Sequence, residues 1–190
     1  MADNKNTTWS LVKRWGEECF KHSNCTPLGS RTPFVPRHLI DVGDDSWEQV
    51  KLQQSSEVMK PAQYMTFSHR WGEDVPGTLT TKNLEELSCM IPTNFLSATF
   101  RDAIIVTRCL GFKYLWVDSL CIIQDSLEDW ATESASMHSI YGNGSYDISA
   151  LTASDSEAGL LLEKPAYSPI RISMYTEGTE ASYILRMADT

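Results

Sequence analysis

The sequence predicts an α/β domain with a mostly parallel sheet flanked by helices, an N-terminal helical extension and additional C-terminal strands. Two observations carry this. From Tyr64 onward, apolar strand-like runs alternate with helical-period segments at short spacing, the pattern of a crossover-connected sheet. The chain also has 190 residues, 42% apolar and 10% aromatic, enough for one domain with a sizeable core.

In chain order, residues 9–22 place Trp9, Val12, Trp15, Cys19 and Phe20 at helical spacing. Asn24–Pro36 carries three prolines and Gly29 and reads as loop. His38–Val42 reads as a short strand, Gly43–Ser46 as a turn and Trp47–Leu52 as a second strand. Residues 1–60 are expected to pack, as a helix and extension, on a core of residues 61–190. Tyr64–Ser68 is the first clear strand, followed by a Gly- and Pro-containing loop over Gly72–Thr81. Lys82–Met90 fits a short helix closed by Pro92. Thr99-Phe-Arg-Asp102 fits a capping box ahead of Phe100, Ala103, Ile104, Thr107 and Leu110, which share one helix face. Gly111 suits a helix stop. Tyr114–Asp118 reads as a buried strand. Ser126-Leu-Glu-Asp129 opens a helix to about Tyr141, ended by Gly142-Asn143-Gly144. Tyr146–Leu151 is the next strand, and residues 170–174 and 182–187 supply two more.

The formal net charge of −9 disfavours non-specific binding to nucleic acid or anionic membranes, which needs clustered Lys and Arg. No uncharged apolar run approaches the roughly 20 residues of a membrane span. The opening Met-Ala-Asp-Asn-Lys-Asn-Thr-Thr lacks the apolar core of a signal peptide. Five cysteines (Cys19, Cys25, Cys89, Cys109 and Cys121) are an odd count, and two sit in apolar-periodic segments. A reduced, cytoplasmic protein is expected.

Chemistry-bearing residues crowd the ends of the two clearest strands. Leu115 to Asp125 sets two carboxylates, a Ser, a Cys and a Gln at the end of an apolar strand, where open α/β sheets form their ligand crevice. Asp118 is a candidate site residue there, equally suited to capping a neighbouring loop. Cys121 precedes Ile122 and Ile123, which favours an inert buried thiol over a nucleophile. Ser68-His69-Arg70-Trp71 brings a hydroxyl, an imidazole, a guanidinium and an indole to the other strand end. Arg70 could hold a phosphate bidentately or form a surface ion pair. Trp71 could stack on a ring or cover the core, and His69 reads as structural.

On the helix after Ser126, ~100° per residue with Trp130 as origin puts Met137, Tyr141, Leu127 and Ile140 on the core-facing stripe. Glu133 falls on or at the edge of that stripe, with Glu128 and Asp129 farther out. A carboxylate there is costly without partners. It either pairs with Arg101, Arg108 or Lys113 or serves as a site carboxylate beside an aromatic. Cys19-x-x-His22-x-x-Cys25 could contribute metal ligands, but zinc needs a fourth and the spacing matches no common finger, so no metal site is assigned. No phosphate-binding Gly-rich loop and no Gly-x-Ser-x-Gly nucleophile elbow occurs.

Three blocks together resemble the fungal heterokaryon-incompatibility (HET) domain. They are Tyr64-Met-Thr-Phe-Ser-His-Arg-Trp-Gly72; Phe100-Arg-Asp-Ala-Ile104 through Leu110-Gly111 to Tyr114–Asp125; and Asp129-Trp130-x-x-Glu133 with Met137, Ile140 and Tyr141. Trp15, Cys19, His22 and Cys25, with Pro36-Arg37, resemble what precedes that domain. The likeness covers most of residues 15–162. The chain departs from it at His69, where the family usually has Tyr, and at Gly144, where it usually has a small Ala. HET domains are similar, more remotely, to Toll/interleukin-receptor (TIR) domains. Phe67-Ser68-His69-Arg70 with Gly72-Glu73-Asp74 looks like the first strand and loop of plant TIR domains. Trp130 with Glu133 looks like the Trp and catalytic Glu of the TIR active-site helix, at a spacing one residue shorter than usual.

The resemblance implies a flavodoxin-like, TIR-like sheet and a role in fungal cell death, incompatibility and innate immunity. In the enzymatic TIR branch it implies hydrolysis of NAD at the nicotinamide–ribosyl bond, with NAD as substrate and no cofactor. Glu133 is then the catalytic residue, and Ser68, Arg70, Trp71, Asp118, Ser119 and Trp130 bind substrate. The chemistry suits these residues: nicotinamide leaves neutral, so the main need is a carboxylate to stabilise an oxocarbenium-like centre. Trp71 or Trp130 could stack a base, Arg70 could hold the pyrophosphate, and Ser68, Asp118 and Ser119 could orient ribose hydroxyls. Self-association and a receptor partner or fused receptor domains are expected with this reading. The competing reading is a non-enzymatic death-signalling module that works by self-association or partner docking.

Overall fold

The computed structural model describes residues 3–19, 21, 34–44, 46–58, 62–69, 71, 77–150, 159–160, 170–176 and 179–185. Contacts divide the chain into residues 1–160 and 161–190. The first unit begins with helix α1 (Asp3–Cys19) and strands β1 (His38–Asp41), β2 (Lys51–Gln54) and β3 (Tyr64–Ser68). Helices α2 (Leu84–Cys89) and α3 (Ala98–Leu110) lead to β4 (Tyr114–Val117) and the one-turn α4 (Asp118–Cys121). Helices α5 (Leu127–Ala135) and α6 (Met137–Asn143) precede β5 (Tyr146–Ser149). The second unit holds an antiparallel pair, β6 (Ile170–Thr176) and β7 (Thr179–Leu185).

The central sheet has the order β2-β1-β4-β3-β5. β3 is parallel to β4 and β5, matching Tyr64 to Tyr114 and Met65 to Tyr146. β1 is antiparallel to both β2 and β4. The sheet is therefore mixed: the expected parallel pairing holds for β4, β3 and β5, and β1 runs against both of its neighbours. The connection from β1 to β2 is too short to hold a crossover helix, so β2 must turn back antiparallel. Trp47 does not start a strand as expected. Trp47–Gln49 is a 3-10 turn whose cap, Ser46, accepts from the Glu48 N–H, and Trp47 lies under the Arg108 guanidinium at 5.0 Å. Residues 38–54 thus complete one side of the sheet.

Alternation along β3 sends Met65 and Phe67 to one face and Tyr64 and Thr66 to the other. α3 covers the first face: Phe100 meets Phe67 edge-on at 5.9 Å, with Ala103, Ile104, Thr107 and Leu110 buried along the same helix. Its cap is Ser97, whose hydroxyl accepts from the Phe100 N–H, so the helix starts just before the expected Thr99 box. Gly111 ends it in the left-handed region, φ 85°. α6 lies on the second face. The Tyr64 hydroxyl donates to the Ile140 carbonyl at 2.7 Å, and Trp116 meets Tyr141 at 5.6 Å.

The single helix expected from Ser126 to Tyr141 is two helices, divided at Ser136. The Ser134 and Ser136 hydroxyls donate back to the carbonyls of Ala131 and Thr132 there. Such back-bonding bends helices. Among the described residues no helix is long and apolar enough to cross a membrane.

Candidate functional site

Ser126 caps α5, its Oγ accepting from the Asp129 N–H at 3.3 Å. The helix then turns two carboxylates inward, one turn apart: Asp129 is 2% exposed and Glu133 3%. The expected stripe is corrected here, because Leu127 and Trp130 are exposed and Asp129 is buried. A wheel drawn through Tyr141 averages two helices that face different ways. Asp129 finds its partners on other elements. Its Oδ1 accepts from Arg37 Nη1 at 2.7 Å and its Oδ2 from the Ile123 N–H at 2.8 Å. The cations considered for Glu133 are engaged elsewhere: Arg101 with the Leu96 carbonyl, Arg108 with the Val42 carbonyl, Lys113 with Asp41.

Glu133 is less well satisfied. Its Oε2 has no hydrogen-bond partner among the described residues. Burial, and then the Asp129 carboxylate, push its pKa above the ordinary value, while the Arg37 backbone N–H and guanidinium pull it down. Tyr64 and Cys121 share this interior. Burial foremost, with Glu133 adding to it, raises the pKa of both the phenol and the thiol. His38 Nδ1–H donates to the Cys121 carbonyl at 3.1 Å, and burial lowers the imidazole pKa. His38, Tyr64, Cys121, Asp129 and Glu133 therefore form one buried polar group beneath α5, closed on its outer side by the exposed Arg37.

A second group sits at the C-terminal ends of β3 and β4. Trp71 Nε1 donates to Asp118 Oδ2 at 2.8 Å, and the Ser119 N–H donates to Asp118 Oδ1 at 2.8 Å. Ser68 Oγ lies 3.4 Å from the Tyr141 hydroxyl and 3.3 Å from Asp147 Oδ1. The His69 ring is buried, stacked on Phe67 and Trp71 and edge-on to Phe100. Its Nδ1 is 3.8 Å from Asp118 Oδ1, too far for a hydrogen bond, and neither ring nitrogen has a hydrogen-bond partner among the described residues. Burial lowers its pKa and Asp118 opposes that.

Of the residues expected at the site, Ser68, Trp71, Asp118 and Ser119 thus share the strand ends, while Glu133 belongs to the interior group. The two groups meet around Cys121, whose thiol feels both Glu133 and Asp118. Trp130 stands half-exposed on the outer side of α5. Arg70 and residues 72–76 lie outside the described residues, as do His22 and Cys25 of the Cys-His-Cys pattern. Among the described residues no group of three or more His, Cys, Asp or Glu could hold a metal ion. Gln124 and Asp125 hold loops together: Gln124 Nε2 donates to the carbonyls of Asp118 and Ile122, and Asp125 accepts from the Thr81 N–H and hydroxyl at 2.7 Å each. A cleft of about 310 Å³ lies at the N-terminal end of β4, lined in part by Asp41, Asp44, Lys51 and Lys113, away from Glu133.

Sequence reasoning missed Arg37, His38, Tyr64 and Asp129. The four-residue spacing of Asp129 and Glu133 was the available signal for Asp129. Arg37 was marked only by the Pro36-Arg37 resemblance, with no role attached, and it reaches α5 because β1 pairs with β4.

The model of the heterokaryon incompatibility protein (HET) family matches residues 64–183, well over half of the chain. The chain belongs to the HET family. In this HET protein the match opens on β3 and includes α5 with both buried carboxylates, while Arg37 and His38 precede it. No curated protein and no solved structure matches the chain.

Proposed function

We propose that this HET domain acts in incompatibility-linked cell death by hydrolysing NAD at the nicotinamide–ribosyl bond when it self-associates. The observation that supports this is Glu133: a buried carboxylate with one unpartnered oxygen, on a helix launched from the strand ends. Buried polar atoms are rarely left unpaired, and perturbed carboxylates concentrate at functional sites. Ionised, Glu133 would stabilise positive charge at the ribosyl C1′ as nicotinamide departs neutral with the bonding electron pair. Water then adds to C1′ and releases a proton, giving ADP-ribose. Ser68, Asp118 and Ser119 would orient ribose hydroxyls, Arg70 would hold the pyrophosphate, and Trp71 or Trp130 would stack a base. Glu133 is 3% exposed, so substrate reaches it only if the surrounding chain shifts, and self-association is a way to drive that shift.

The test is nicotinamide release from NAD by the purified chain, dispersed and assembled. Release by the assembled wild type should fall at least about 100-fold in Glu133→Ala. No release after assembly, or equal release by the variant, sinks the reading.

One observation favours the non-enzymatic alternative. The Arg37–Asp129 pair ties α5 to the start of β1, as a structural ion pair does, and leaves Leu127 and Trp130 exposed for docking. On that reading cell killing survives Glu133→Gln and is lost in Trp130→Ala.

A further inference from the structure

The inner face of α5 carries two carboxylates in unlike states. Asp129 is satisfied twice over, by Arg37 Nη1 at 2.7 Å and the Ile123 N–H at 2.8 Å. Glu133, one turn on and equally buried, keeps an unpartnered oxygen. Two carboxylates so close would repel, and one would take up a proton, unless a cation stood beside them. Arg37 is that cation. Its guanidinium is half-exposed, so one side meets water while the other holds Asp129. Paired groups held in contrasting environments are how sites divide chemical roles between like residues.

We propose that Arg37 and Asp129 are positioning residues for Glu133. Their ion pair fixes α5 against the start of β1 and balances the charge beside the free carboxylate. The segment that precedes the family-matched residues is therefore part of the site. This rests on Glu133 being the reactive carboxylate. The other titratable groups of this interior are Tyr64 from β3 and Cys121 from α4, which feel Glu133, and His38 from β1, which feels Asp129 and Arg37. Burial disfavours the charged form of all three, which leaves Arg37 and Asp129 as the charges that matter.

The titration of Glu133 in the full chain tests this without reference to catalysis. Carbon-labelled glutamate gives the carboxyl signal by NMR, assigned by its absence in Glu133→Gln. Arg37→Gln should move the midpoint up, Asp129→Asn should move it down, and Arg37→Lys should leave it near wild type. The acid limb of nicotinamide release should move in the same directions. An unmoved midpoint in both Arg37→Gln and Asp129→Asn, or a shift of the same sign in both, overturns the inference. Should Arg37→Gln fail to fold, the downward shift in Asp129→Asn and the recovery in Arg37→Lys decide it. Midpoints that move as stated in a protein that releases no nicotinamide would uphold the positioning and remove only the assigned reaction.

Discussion

Among the described residues, Glu133 and His69 are the two ionisable side chains with buried nitrogen or oxygen atoms that lack a hydrogen bond, and each fixes a pH dependence. Burial raises the Glu133 pKa above its ordinary value of 4.5, so the folded state holds that proton more tightly than the unfolded chain. Its stabilising contribution is complete below pH 4.5 and is lost as pH rises through the folded value. Glu133→Gln should therefore stabilise the protein at neutral pH by about 1 kcal/mol, with the gain shrinking in acid. Urea unfolding of both proteins across pH checks this, and a neutral-pH loss would contradict it. His69 has the opposite sign. Burial lowers its pKa below 6.5, so its contribution is present above pH 6.5 and lost as pH falls through the folded value. His69→Phe keeps the stacking on Phe67 and the edge contact with Phe100 and should flatten the fall in Tm between about pH 7 and pH 5. His38 titrates in the same direction, so the slope shrinks without vanishing. Glu133 was readable in the sequence because it interrupts an apolar stripe. Asp129, four residues earlier, carried the same signal, but a wheel drawn across the break at Ser136 placed it outside the stripe.

Among the elements, β3, α3 and β4 were readable nearly to the residue, since apolar runs bounded by Gly, Pro and Asp punctuate them. The failures were tertiary. Trp47 has strand-like neighbours but is held in a 3-10 turn beneath Arg108. α4 is a single turn inserted where Asp118 was expected to end a strand. Gln124 and Asp125 hold its loop through bonds to distant partners as well as near ones. α1 makes its own close approach: a Cβ on Gly16 would run into the Tyr146 hydroxyl. Gly16→Ala should therefore lower stability by about 1–2 kcal/mol despite the better helix propensity of Ala. Adding Tyr146→Phe should recover part of that loss. An unchanged Tm in Gly16→Ala would contradict the packing of α1 on β5.

At the scale of the whole molecule, local pattern predicted parallel pairing and found it in β4, β3 and β5. It could not predict that β1 enters beside β4, because strand order is set by which edge is left open rather than by any window of sequence. The consequence is that residues 64–183 do not hold the whole sheet. Residues 64–190 expressed alone lose β1, expose the edge of β4 at Tyr114 and Leu115, and strip Asp129 of Arg37. That fragment should aggregate or lack a cooperative unfolding transition, and a cooperative transition like that of the full chain would contradict the placement of β1. The pH–rate profile of nicotinamide release by the assembled chain, set beside that of Glu133→Gln, tests the central claim most directly. Wild-type release should rise with pH through one ionisation above pH 4.5, with the variant at background throughout. A variant whose profile overlays the wild type would show that Glu133 is not the reactive carboxylate.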